Sequence, residues 1–138
     1  MKFNHKLIVA LLLTSFSLTN TFAQNDKEMT IPTSSSTEFN WKDGYGKIVK
    51  VDFSYLITDT VSQKTLRPII MTIMVQSQYL LKNKLSYVPR KLTLVQAEDK
   101  SFSGIVTILG KNSYGAESET TAYYSFDLEG NVVLISAK

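Results

Sequence analysis

Apolar and polar residues alternate most clearly over residues 47–58. Val49, Val51, Phe53, Tyr55 and Ile57 fall on one side, and Lys50, Asp52, Ser54 and Thr58 on the other, with Ile48 and Leu56 as exceptions. A period of two marks a half-buried strand, because successive side chains point to opposite faces of the pleat. The preceding Asp43-Gly44-Tyr45-Gly46 is turn chemistry, and 59–64 is a polar connection. Residues 68–85 then run without Gly or Pro after Pro68. Ile70, Ile73, Met74, Ser77, Leu81 and Leu85 follow helical steps. Pro68 suits a helix start, Lys82 and Lys84 suit a helix C-terminus, and Pro89 forbids continuation. The β-branched run from Ile69 to Val75 would also fit a buried strand, but its unpunctuated length favours a helix over 68–85.

Beyond Pro89 the pattern returns to short strands, at 91–96, 101–109, 117–127 and 132–137. Polar or glycine-bearing turns separate them: Glu98-Asp99-Lys100, the loop 110–115, and Glu129-Gly130-Asn131. The expected class is α+β, with an antiparallel sheet of four to five strands curled around one helix in the order β-α-β-β-β-β. Such a sheet has one face to cover, and the single helix is the cover available. Residues 24–40, with Pro32 and a Ser34-Ser35-Ser36-Thr37 run, read as a flexible leader. A single domain is expected over 41–138.

This order of elements resembles the cystatin-like roll over roughly 47–137. The inhibitory cystatins carry a Gln-x-Val-x-Gly hairpin, where this chain has Gln96-Ala97-Glu98-Asp99-Lys100. Protease inhibition is therefore not implied. Leu81-Lys82-Asn83 and Asn112-Ser113-Tyr114-Gly115 resemble short motifs of small uncharacterised exported proteins of Bacteroidetes type. That resemblance implies no activity.

The N-terminal residues change the compartment. Lys2, His5 and Lys6 precede an unbroken apolar run at 7–13, and Thr21 and Ala23 stand before Gln24. This is the pattern of a cleaved export signal over 1–23, too short in its apolar part to span a bilayer. A periplasmic or secreted protein is expected, with no integral membrane segment after cleavage. Cleavage removes two of the fifteen basic residues and none of the twelve acidic ones, so the net charge falls from +3 to +1. That leaves no global electrostatic case for nucleic acid.

Cleavage also removes the only histidine, His5, from a chain without cysteine. A Ser-His-Asp triad, a Cys-His pair and a His-ligated zinc site are excluded in the processed chain. No glycine-rich phosphate loop is present, and no cofactor is expected. Glu117 and Glu119 are two apart on one strand, the spacing of a possible carboxylate pair, although charged surface strands look the same. Asp127, Glu129 and Asn131 alternate as in a calcium loop but lack its closing Glu, so a hairpin turn accounts for them better.

Loop aromatics remain as binding candidates: Trp41 and Tyr45 around the Asp43-Gly44 turn, and Tyr114 in the 110–115 loop. The competing and more ordinary role for Trp41 and Tyr45 is to close one end of the core. Arg90 and Lys91 form a candidate basic patch for an anionic glycan. The expected function is a non-catalytic exported binding or accessory domain for a protein or glycan. The alternatives are a carboxylate-dependent hydrolase of an extracellular polymer and a structural subunit assembling through its sheet edges.

Overall fold

The computed structural model describes residues 37–138. The expected export signal and all of the leader before residue 37 lie outside the described residues. Strands β1 (Glu38–Lys42), β2 (Ile48–Leu56), β3 (Val88–Gln96), β4 (Phe102–Lys111), β5 (Glu117–Phe126) and β6 (Val132–Ala137) form one sheet. Helix α1 (Gln63–Gln78) lies between β2 and β3 in the chain, and a 3-10 turn, Lys84–Ser86, leads into β3. Spatial order equals chain order across all six strands. The α+β class and the helix set between strands agree with the sequence; the count of four to five strands does not.

The extra strand is β1. Phe39 and Trp41 are buried between the more exposed Glu38, Asn40 and Lys42. It takes in residues 38–40, which read as leader because two apolar positions in five residues carry almost no periodic signal. The sheet is also mixed rather than wholly antiparallel, since β2 and β3 pair in parallel. The helix dictates this. Its 16 residues rise about 24 Å, enough to return the chain along a nine-residue strand to the end where β2 began. β3 must then leave in the same direction as β2.

The helix begins five residues before Pro68 and stops seven before Leu85. Ser62 starts it: its Oγ accepts from the Thr65 N–H at 3.2 Å. Pro68 therefore sits inside the helix, where it removes one backbone donor, while Thr72 Oγ1 donates to the Pro68 carbonyl at 2.8 Å. At the far end Tyr79 and Leu80 donate back to the Gln76 and Ser77 carbonyls, and Asn83 Oδ1 then caps the 3-10 turn through the Leu85 N–H. Lys82 and Lys84 thus lie beyond the helix.

One sheet face packs on α1. Val51, Phe53, Leu92, Leu94, Val106 and Ile108 supply its centre, against Ile69, Ile70, Ile73 and Met74. Two glycines of β4 allow the helix and the segment just after it to come close: a Cβ on Gly104 would lie 2.6 Å from Ile73 Cδ1, and one on Gly110 2.6 Å from Leu81 Cδ2. On the β1 flank, Phe39 meets both Trp41 and Phe53 edge-on, with ring centroids 6.3 and 6.1 Å apart. Gln96 ties the start of the crossover to the sheet. Its Oε1 accepts from the N–H groups of Thr58 and Asp59, and its Nε2 donates to Asp59 Oδ2 at 2.7 Å.

Two buried tyrosines differ in one respect. Tyr87 Oη donates to the Met74 carbonyl at 3.2 Å and lies 3.0 Å from Ser77 Oγ. Tyr124 Oη is buried without a hydrogen-bond partner. A buried hydroxyl without a partner costs free energy, whereas a paired one stabilises modestly. Tyr87→Phe should therefore lower stability by about 1–2 kcal/mol, while Tyr124→Phe should be neutral or stabilising; urea unfolding of both variants separates them.

Burial pushes the Tyr124 hydroxyl up to about 12 and raises Tyr87 as well. In the unfolded chain both titrate near pH 10, so their contribution is intact below that pH and is lost as pH rises toward the folded values. Stability should fall above about pH 10 by about 1.4 kcal/mol per pH unit for each tyrosine. Tyr124→Phe should flatten that fall, as measured by urea unfolding at successive alkaline pH values.

Candidate functional site

Strand direction decides which loops share an end of the sheet. β1, β4 and β6 finish where β2, β3 and β5 start. The β1–β2 turn, the segment 79–87 and the β4–β5 turn therefore meet at one end. The connection 57–62 and the turns 97–101 and 127–131 lie at the other.

Three of the hairpin turns are built alike. The first residue, Asp43, Asn112 or Asp127, donates its N–H to the carbonyl of the fifth and accepts at its own carbonyl from the N–H of the fourth. Its side-chain Oδ1 accepts from the N–H groups of the third and fifth residues, at 2.8–3.1 Å. The fourth residue is glycine in the left-handed region, which L side chains disfavour. The turn 97–101 keeps the backbone bonds with Ala97 first and Lys100 fourth, at φ 70°.

This geometry sets out the third residue. At one end those residues are Tyr45 and Tyr114, 77% and 95% exposed. At the other they are Asp99 and Glu129. Tyr79, just past the helix, and Leu85, in the 3-10 turn, are also exposed at the tyrosine end. Lys84 Nζ stands 3.8 Å from the centroid of the Tyr79 ring, a cation–π contact. The parts are joined: Gly44 donates its N–H to the Tyr87 carbonyl at 2.8 Å, and Lys111 donates its N–H to Ser86 Oγ at 2.9 Å.

Charge divides along the same axis. Lys42, Lys47, Lys82, Lys84 and Lys111 cluster at the tyrosine end, with Asp43 and Glu117. Asp59, Glu98, Asp99, Asp127 and Glu129 cluster at the other, with Lys64 and Lys100. Donation from Gln96 and then from Lys100, 3.3 Å away, holds the Asp59 carboxyl below its usual range. The side chain of Asn131, with the turn's backbone N–H groups, does the same for Asp127.

The sequence candidates separate as follows. Tyr45 and Tyr114 share an end and are exposed. Trp41 is buried in β1 against Phe39, which corrects its placement among surface aromatics. Two residues from Phe39 in a five-residue strand, it shares the inward face with that ring. Arg90 and Lys91 are exposed at a bulge in β3. Lys91 lies on the face away from α1, in register with Asp52 and Thr107, rather than in the tyrosine cluster. Glu117 and Glu119 are exposed, opposite Lys111 and Leu109. Asp127 is committed to its turn. Among the described residues no group of three acidic, histidine or cysteine residues could hold a metal ion, and no helix is long and apolar enough to cross a membrane.

Tyr79, Lys84 and Leu85 escaped the sequence reading because they fell inside the expected helix. Asn83, a residue that favours caps and turns, was the signal that the helix had already ended. Comparison with family models, curated proteins and solved structures gave no match to this chain.

The joined end can be tested through two glycines of one turn. A Cβ on Gly44 would collide with the backbone carbonyls of Lys84 and Leu85, whereas one on Gly46 meets nothing within 4 Å. Gly46→Ala should cost about 1 kcal/mol, from left-handed backbone alone. Gly44→Ala should cost more than about 2 kcal/mol, because the turn must lift from the 3-10 segment. Equal losses in urea unfolding would deny that the two segments are coupled.

Proposed function

We propose that this protein is a non-catalytic binding module for an acidic polysaccharide, engaged at the end that carries Tyr45, Tyr79 and Tyr114. The observation behind this reading is that two turns of one design present exposed tyrosines at the same third position, at the same end, among lysines. A tyrosine ring offers a flat apolar face to the C–H face of a sugar, at low entropic cost because it has few rotatable bonds. Lysines add attraction for carboxylate or sulfate groups. Each such exposed contact is worth under about 1 kcal/mol and is screened by salt. Several along a polymer add up, and they favour acidic over neutral chains. The expected export signal agrees with this ligand class, since such polymers lie outside the cytoplasm.

The carboxylate-hydrolase reading has less support. Glu117 and Glu119 sit exposed on one strand, whereas a glycosidase sets its two carboxyls across a cleft with one in a proton-retaining environment.

Calorimetric titration with a uronate-bearing polysaccharide, a neutral glycan and an oligonucleotide tests the proposal. The uronate polymer should bind, more weakly as salt rises, and the other two should not. Tyr45→Ala and Tyr114→Ala should each weaken binding by about tenfold and leave the melting temperature unchanged, because both rings are exposed. Binding that ignores both substitutions, or equal binding of the neutral glycan, would sink the reading.

A further inference from the structure

The two edges of the sheet are unlike. β1 carries Glu38 and Lys42, and Glu38 Oε1 is bridged to Lys50 Nζ on β2 at 2.6 Å. Charges of this kind protect an edge from pairing with another chain. β6 reads Val-Val-Leu-Ile-Ser-Ala, with no charge and no proline. Val133, Leu134 and Ile135 are 56%, 41% and 64% exposed. A bulge interrupts its pairing with β5, because Tyr124 pairs with Leu134 but Tyr123 with Ser136. Bulges commonly guard an edge. Here the residue set out is Ile135, so the bulge enlarges the apolar surface instead of covering it.

We propose that two copies of this chain associate edge to edge along β6, antiparallel, to form a closed twofold dimer. The flanks of the strand select this occupant. Asp127 and Glu129 precede β6, and Lys138 follows it. Antiparallel pairing sets the acidic flank of each copy beside the lysine of the other, whereas parallel pairing would set like beside like. Glu117 and Glu119 stand one strand further in, with Lys111 in register with Glu117. A strand that pairs with its own copy in this way is satisfied at both ends by one twofold axis, and the pairing then has nowhere to propagate. Its outward N–H and C=O groups give the direction, and Val133, Leu134 and Ile135 give the apolar contact. One short strand per copy buries little area, so the dimer belongs to the weak class, below about 1,200 Å². This surface is separate from the tyrosine end, and the inference stands without the polysaccharide reading.

Sedimentation velocity of the purified chain, from micromolar to near-millimolar concentration, tests it. A reversible monomer–dimer equilibrium is expected. Ile135→Lys places like charges at the contact and should weaken dimerisation by at least about tenfold, with the fold retained because the side chain is mostly exposed. Glu129→Lys and Lys138→Glu should each weaken it, and the double exchange should restore it, which a purely structural effect of either change would not do. A strict monomer throughout, open-ended oligomers, insensitivity to Ile135→Lys, or no restoration in the double exchange would each overturn the proposal.

Discussion

One helix has to cover one face of a six-stranded sheet, and most of the structure follows from that mismatch. Six strands span about 24 Å at about 4.8 Å spacing, while a helix with its side chains is about 10–12 Å across. Gly104 seats the helix on β4, near the middle, so that Ile73 reaches the backbone, and Gly110 does the same for Leu81 just beyond the helix end. The helix also approaches β5 and β6, so it is the β1 side that must be filled by other means. On the β1 side the sheet supplies its own cover, the edge-on aromatics Phe39, Trp41 and Phe53. On the β6 side the helix approaches the edge strand, yet Leu134 remains 41% exposed.

The same mismatch explains why so many of the buried polar contacts lie beneath the helix ends. The crossover must leave β2, rise onto the sheet and come back down into β3 within a few residues at each end. Gln96 grips the rising segment through the Thr58 and Asp59 backbone. Tyr87 grips the descending one through Met74 and Ser77. Gln96 ends β3 and Tyr87 immediately precedes it, and each side chain reaches the crossover.

Period and turn chemistry carried the sequence reading a long way. The alternation over 47–58 placed β2, and Gly130 with Asn131 placed the last hairpin, because those signals are local. Three features were not local. The extent of the helix depended on Ser62 as a cap and on the tolerance of Pro68 within it, which the tertiary contacts of Ile69, Ile70 and Ile73 sustain. The parallel β2–β3 pair depended on helix length measured against strand length. β1 depended on Phe53 and Val51 offering a flank for Phe39 and Trp41 to cover. Tyr45 and Tyr114 were legible as exposed aromatics in turns. That they occupy one position in one turn design at one end needed the direction of every strand between them.

Strand direction also gives the molecule its polarity. An up-and-down chain places alternate turns at opposite ends, so the composition of alternate turns becomes a property of a surface. Here tyrosines and lysines fall in one set and carboxylates in the other. An antiparallel pair along β6 would turn the two tyrosine ends away from each other, separated by about the 30 Å length of a nine-residue strand. Two sites so placed do not raise each other's occupancy on a short stretch of polymer, because a stretch bound at one end cannot reach the other without rounding the sheet. Such sites would hold two polymer strands apart instead. A bivalent arrangement of this kind favours bridging between chains over tight capture of one, and it needs only modest affinity at each end.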